Sequence, residues 1–149
     1  MCIRDRRTKV CCFPGAGYEK IADHAEVELK YCVPKVAILH AGGNDLANKI
    51  STSEITENLA YLGCELINRG VKRIAISGMT PRRGMKAEIA TLNKELASMC
   101  RTYGYDFIDN SNIWFKYHIS WDNVHLNYEG VEILESNYIH YLSNVEYEE

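Results

Sequence analysis

Two kinds of apolar pattern alternate along the chain. Short unbroken runs, "KVCCF" (9–13), "KVAILH" (35–40), "KRIAISG" (72–78) and "YDFID" (105–109), read as strands, and the β-branched second and third as strands covered on both faces of a parallel sheet. Between them the apolar residues take helical spacing. Residues 18–31 place Ile21, Ala22, Ala25 and Leu29 on one face; a helix capped by Ser51 or Ser53 carries Ile55, Leu59, Leu62, Leu66 and Ile67 and stops at Gly70. A third helix, roughly 85–103, buries Ile89, Leu92, Leu96 and Met99 before Gly104. A polar and aromatic loop from Asn110 to about His125 leads to a last helix, capped by Asn127, with Val131, Leu134, Tyr138 and Leu142 on its inner face. Strand and helix alternate through short connections, which demands right-handed crossovers and predicts a doubly wound α/β domain.

Composition narrows this picture without redirecting it. With 149 residues, 46% apolar and 25% charged, the chain suits one globular domain. A net charge of -3 supplies no field that would gather nucleic acid, and "RDRRTK" is too short to change that, so no nucleic-acid partner is expected. Cys2, Cys11, Cys12, Cys32, Cys64 and Cys100 form no C-x-x-C pair and are expected to be reduced, mostly buried thiols. No apolar run reaches the roughly 18 residues of a membrane span, and a cytoplasmic location is the default expectation. Residues 1–8 read as a non-native or disordered leader, 9–143 as the domain, and 144–149 as an acidic tail.

In an open parallel sheet, ligands sit beyond the carboxyl ends of the strands. The segments there are "FPGAG", "HAGGNDL", "SGMTPRRG" and the loop holding "SWDNVHLNYEG". Two glycines in "GGND" allow a sharp turn that could aim Asn44 at a developing oxyanion; equally, Asn44 and Asp45 could form an Asx turn and cap the next segment. Asp122 and His125, three residues apart, can orient an imidazole as a general base, or can be a solvated turn carboxylate beside an exposed histidine. His40 reads as a strand-end residue. Arg82 and Arg83 could hold a phosphate or carboxylate, or belong to a solvated loop. Trp114, Phe115, Tyr117 and Trp121 could line an acyl or glycan pocket, though such a group more often anchors its loop to the core. A metal site would need His40, Asp45, Asp122 and His125 to converge; no metal or other cofactor is expected.

Taken together, "ILHAGGNDL" and, some eighty residues on, "DNVHLNYEG" resemble the third and fifth blocks of the SGNH, or GDSL-like, hydrolases, and "CFPGAGYEKI" resembles their second block. The resemblance spans roughly residues 9–143. It implies a three-layer α/β/α flavodoxin-like fold and hydrolysis of a small-molecule ester or acyl substrate. It also implies roles: Asp122 and His125 as the acid-base couple, Gly15 and Asn44 as oxyanion donors. The first block of that family, a G-D-S bearing the nucleophilic serine, has no counterpart here. None of Ser51, Ser53, Ser77, Ser111 and Ser120 sits in a strand-to-helix elbow with glycine beside it, and Cys11 and Cys12 lie in an apolar run. The chain therefore reads as beginning after the nucleophile, with the first strand of the fold missing and ester turnover lost. The alternative is a non-catalytic binding or interaction module that retains the pocket. The oligomeric state is not readable from the residues.

Overall fold

A computed structural model describes residues 9, 11 and 17–145. In chain order these form α1 (Tyr18–Tyr31), β1 (Val36–Leu39), α2 (Gly43–Ala47), α3 (Thr52–Asn68), β2 (Arg73–Ser77), α4 (Lys86–Tyr103), β3 (Asp106–Ile108), α5 (Phe115–His118) and α6 (Tyr128–Val145). The strand expected over 9–13 lies outside the described residues apart from Lys9 and Cys11, as do the leader 1–8, Gly15 and the end of the acidic tail.

Alternation along β2 generates the layers, because successive side chains of a strand point to opposite faces. Ile74 and Ile76 join a core with Ile55, Leu59, Leu62 and Leu66 of α3 and Ile89, Leu92, Leu96 and Met99 of α4, with α1 packed at its margin. Ala75 faces the other way, into a smaller core with Ile108, Ile113, and Leu134 and Tyr138 of α6. The three strands run in parallel in the order β1-β2-β3, with Val36 opposite Arg73 and Ala75 opposite Asp106. The α/β layering expected from the sequence is therefore present, with helices on both faces of a three-stranded parallel sheet.

Several local expectations hold for the reasons given. Ser51 caps α3 by accepting from the Glu54 amide at 3.2 Å, and Asn127 caps α6 by accepting from the Gly130 amide at 2.8 Å. Gly70 and Gly104 end their helices with φ of 109° and 74°. Others are corrected. The strand "KVAILH", expected to be covered on both faces, is half-buried throughout, because among the described residues β1 pairs only with β2 and is an edge. Ile67 is 42% exposed, since the buried face of α3 ends at Leu66. Val131 and Leu142 of α6 are half-buried. The described cysteines are free, but Cys11 and Cys32 are exposed rather than buried. The segment 110–125 is not a featureless loop: it contains α5 and an antiparallel bridge between Ile119 and Leu126.

Anchoring of that segment falls to residues other than the expected aromatics. Asn110, Ile113 and His118 are the buried ones, with His118 Nδ1 accepting from the Trp114 amide at 2.7 Å. Asn127 then ties the end of α5 to the start of α6, donating from Nδ2 to the Tyr117 carbonyl and from its amide to the His118 carbonyl, both at 2.8 Å. Trp114, Phe115 and Tyr117 are exposed, and Trp121 is 94% exposed.

Candidate active site

Three connections leave the carboxyl ends of the strands and meet at one rim. After β1 the chain turns at Gly42, whose φ of 116° and whose close approach to Ile55 exclude a side chain, and α2 begins at once. This places Asn44 and Asp45 in the first turn of α2. Asp45 serves a structural purpose, accepting from the Tyr18 amide at 3.1 Å and so holding the start of α1. Asn44 Oδ1 accepts from Arg82 Nη2 at 3.3 Å.

The connection after β2 is held by α4. Asn93 accepts from the Met79 amide at 2.7 Å and donates to the Met79 carbonyl at 3.3 Å, clasping the backbone on both sides. Four residues on, the Arg83 amide donates to the Asn123 carbonyl at 3.1 Å. The loop 79–84 thus bridges Asn44 on one side and the Asp122–His125 turn on the other.

In that turn each oxygen of Asp122 has its own task. Oδ1 accepts from the Val124 and His125 amides, each at 2.9 Å, which shapes the turn. Oδ2 lies 2.5 Å from His125 Nδ1. The two sequence readings, turn carboxylate and histidine orienter, are therefore both realised by one side chain. The His125 bond first, and the two amides after it, pull the Asp122 carboxyl down to about 2. An ionised carboxylate cannot donate, so the proton on this bond belongs to Nδ1, and the neutral imidazole presents Nε2 as a base. The ring stands out from the surface, its side chain 78% exposed.

A second histidine arrangement at this rim escaped the sequence. Ser77, at the end of β2 and 0% exposed, lies 2.9 Å from His40 Nδ1, 2.8 Å from Asn110 Nδ2 and 2.8 Å from Tyr138 OH. Asn110 can only donate from its nitrogen. Tyr138, itself buried, finds its acceptor in Ser77, so it donates too. Both lone pairs of Ser77 are then filled, and its proton goes to His40 Nδ1. His40 is held with its proton on Nε2. As a residue His40 keeps exposed surface, yet its Nδ1 side lies against the fully buried Ser77; desolvation, with the Arg82 charge behind it, pushes the imidazole down to about 4. A serine donating to a histidine has the form of a nucleophile and its base, but Ser77 has no accessible surface and no free bonding capacity to attack anything.

Among the described residues, no group of three or more His, Cys, Asp or Glu side chains converges on a possible metal position. A shallow hollow of about 460 Å³ lies at the other end of the sheet, around Arg73, Asp106 and Tyr141. There, burial alone would raise the Asp106 carboxyl, but Arg73 at 2.6 Å and Tyr141 at 2.6 Å outweigh it and the net shift is downward. That end is a structural ion pair. No helix of the described residues is long and apolar enough to cross a membrane.

No family model and no curated protein matches the sequence. Solved structures do. An acetylxylan esterase from Geobacillus stearothermophilus superposes with a TM-score of 0.72 at 15% identity, over 85% of this chain and 67% of that one. A candidate acylhydrolase from Bacteroides fragilis NCTC 9343 gives 0.76 at 16% identity, over 88% and 72%. An α/β hydrolase from the metagenome of Lake Arreo, Spain, gives 0.71 at 14%, over 85% and 67%. The chain has the α/β fold of these hydrolases. Two variants of the Geobacillus esterase, each described as a catalytic mutant, replace a histidine and a serine.

Proposed function

We propose that the chain is a hydrolase domain of the SGNH type, built for a small-molecule ester or acyl substrate, that holds the base and oxyanion side of the reaction but lacks the nucleophile. The observation that carries this reading is the Asp122–His125 hydrogen bond of 2.5 Å at the carboxyl rim of the sheet, one loop away from Asn44. In the intact reaction a serine oxygen attacks the ester carbonyl and His125 Nε2 takes its proton. Asp122 holds Nδ1–H and stabilises the imidazolium, while the Gly15 amide and Asn44 Nδ2 donate to the oxyanion. His125 then protonates the departing alcohol, and water repeats the sequence to release the acid. That an esterase of the same fold has a catalytic histidine supports the hydrolase reading.

The nucleophile is the missing part. Among the described residues Ser77 is sealed and Ser51 is committed to its cap, and on this reading His125 has water to activate rather than a side chain. Residual hydrolysis then falls orders of magnitude below that of a full triad, whose members act as a unit. The test is release of p-nitrophenol from p-nitrophenyl acetate. Wild type should match His125→Ala; histidine-dependent multiple turnover would show that a nucleophile is present and overturn the inactive reading. Retention of the pocket as a non-catalytic binding module is the second reading, favoured by the placement of Arg82 beside Asn44.

A further inference from the structure

Arg82 is a half-buried cation that pairs with no carboxylate among the described residues. Among the described residues its hydrogen-bond partner is the neutral Asn44 Oδ1, whereas Arg69, Arg73 and Lys9 each pair with an acidic side chain. Burial lowers its pKa, as expected for a guanidinium that has shed water without gaining a counter-ion. Nor is it a freely swinging loop residue. A Cβ built on Gly43 would lie 2.7 Å from Arg82 Nη2, 3.0 Å from Cζ and 3.2 Å from Nε, so the whole guanidinium plane rests against the Gly43 backbone. The clasp of Asn93 on Met79 and the bond from Arg83 to Asn123 fix the loop that carries it. Arg83, by contrast, is exposed. The pair that the sequence offered as equivalent is thus divided into one seated cation and one solvated one.

His40 directly follows β1 and lies three residues before Gly43, the residue on which that guanidinium rests. Three bonds to Ser77 fix its tautomer, leaving Nε2–H as a donor with no partner among the described residues. A desolvated cation beside a fixed neutral donor is costly when empty and well matched to an oxygen anion, which can pair with the first and accept from the second.

We propose that Arg82 and His40 form an anion-binding subsite at the carboxyl ends of β1 and β2, taking a carboxylate or phosphate group of the ligand. Arg82 supplies the charge and His40 Nε2–H a directed hydrogen bond; Gly43 gives the guanidinium its seat, and Ser77 sets the imidazole. The subsite selects acidic ligands over neutral ones. It stands apart from the hydrolase reading, because binding alone reports it.

The test is titration of the full chain with inorganic phosphate and, separately, with acetate, at constant ionic strength in chloride. The His40 ring signals in 1H–15N spectra and the midpoint of thermal unfolding are followed. A saturable shift of His40 Nε2–H with a raised midpoint is expected from at least one anion, and which one binds more tightly assigns the site to phosphate or to carboxylate. Arg82→Gln should weaken binding tenfold or more. Gly43→Ala, which keeps the charge but displaces the guanidinium, should weaken it in the same direction, with circular dichroism confirming the fold of both. His125→Ala should bind as wild type does, so that failure of the hydrolase reading would leave this one standing. No saturable response to either anion, or affinity retained in both Arg82→Gln and Gly43→Ala, would overturn it.

Discussion

His40 and His125 stand at the same rim of one sheet, and their hydrogen bonds set opposite tautomers. Each has its Nδ1 engaged within the protein. His125 meets an ionised carboxylate, which can only accept, so Nδ1 keeps its proton and Nε2 is a base. His40 meets a serine whose accepting capacity is already filled by Asn110 and Tyr138, so Nδ1 accepts and Nε2 is a donor. The partner behind the ring decides its role more firmly than its exposure does. A histidine backed by a carboxylate is equipped to move a proton; one backed by a saturated hydroxyl is equipped to hold an oxygen in place.

Removing the partners breaks this contrast in graded steps. The largest effect is expected from Ser77→Ala, which leaves the buried Tyr138 hydroxyl without an acceptor and frees His40 Nδ1. Stability should fall by about 1–3 kcal/mol in chemical denaturation, and His40 should become a mixture of tautomers in 15N spectra. Tyr138→Phe is milder, about 0.5–1.5 kcal/mol, because Ser77 still accepts from Asn110 and keeps its bond with His40, although one freed lone pair no longer fixes the direction of that bond.

The third expectation is a slope. The folded-state pKa of His40 is depressed from 6.5 to about 4, so the unfolded chain binds the extra proton first. The stability that the neutral ring contributes is complete above about pH 6.5 and is lost as pH falls towards 4. His40→Gln should remove that limb from the denaturation midpoint measured against pH. Asp122 acts lower: its carboxyl is depressed from 3.8 to about 2, so what it contributes is present above pH 3.8 and disappears as pH falls through 2. The smallest effect on stability is expected from Asp122→Asn, at a solvent-facing turn. Its amide nitrogen can donate to His125 Nδ1, which would move the ring proton to Nε2 and give His125 the tautomer of His40.

Much of the fold could be read from the sequence, because burial follows periodicity. The faces of α3 and α4 appear at the positions their spacing predicts, and Ser51, Asn127, Gly70 and Gly104 mark ends as their chemistry requires. Where the reading failed, a neighbour decided the outcome. "KVAILH" has the composition of a central strand, yet among the described residues it is an edge; composition reports what a strand could cover, not what lies beside it. Trp121 is as apolar as Ile113, but only Ile113 meets the core. The contact between Asp122 and His125 was legible because a local turn joins them. The His40–Ser77–Asn110–Tyr138 cluster joins residues from four places in the chain, and no spacing announces it. One signal was present: a polar Ser77 closing an otherwise apolar buried strand needs partners.

The most direct test of the account is a long-range 1H–15N correlation spectrum of the imidazole rings at about pH 8.5, where an ordinary histidine with a pKa near 6.5 is neutral. The geometry predicts opposite tautomers, His125 protonated on Nδ1 and His40 protonated on Nε2. His125 found protonated on Nε2 would deny it the role of base and contradict the account.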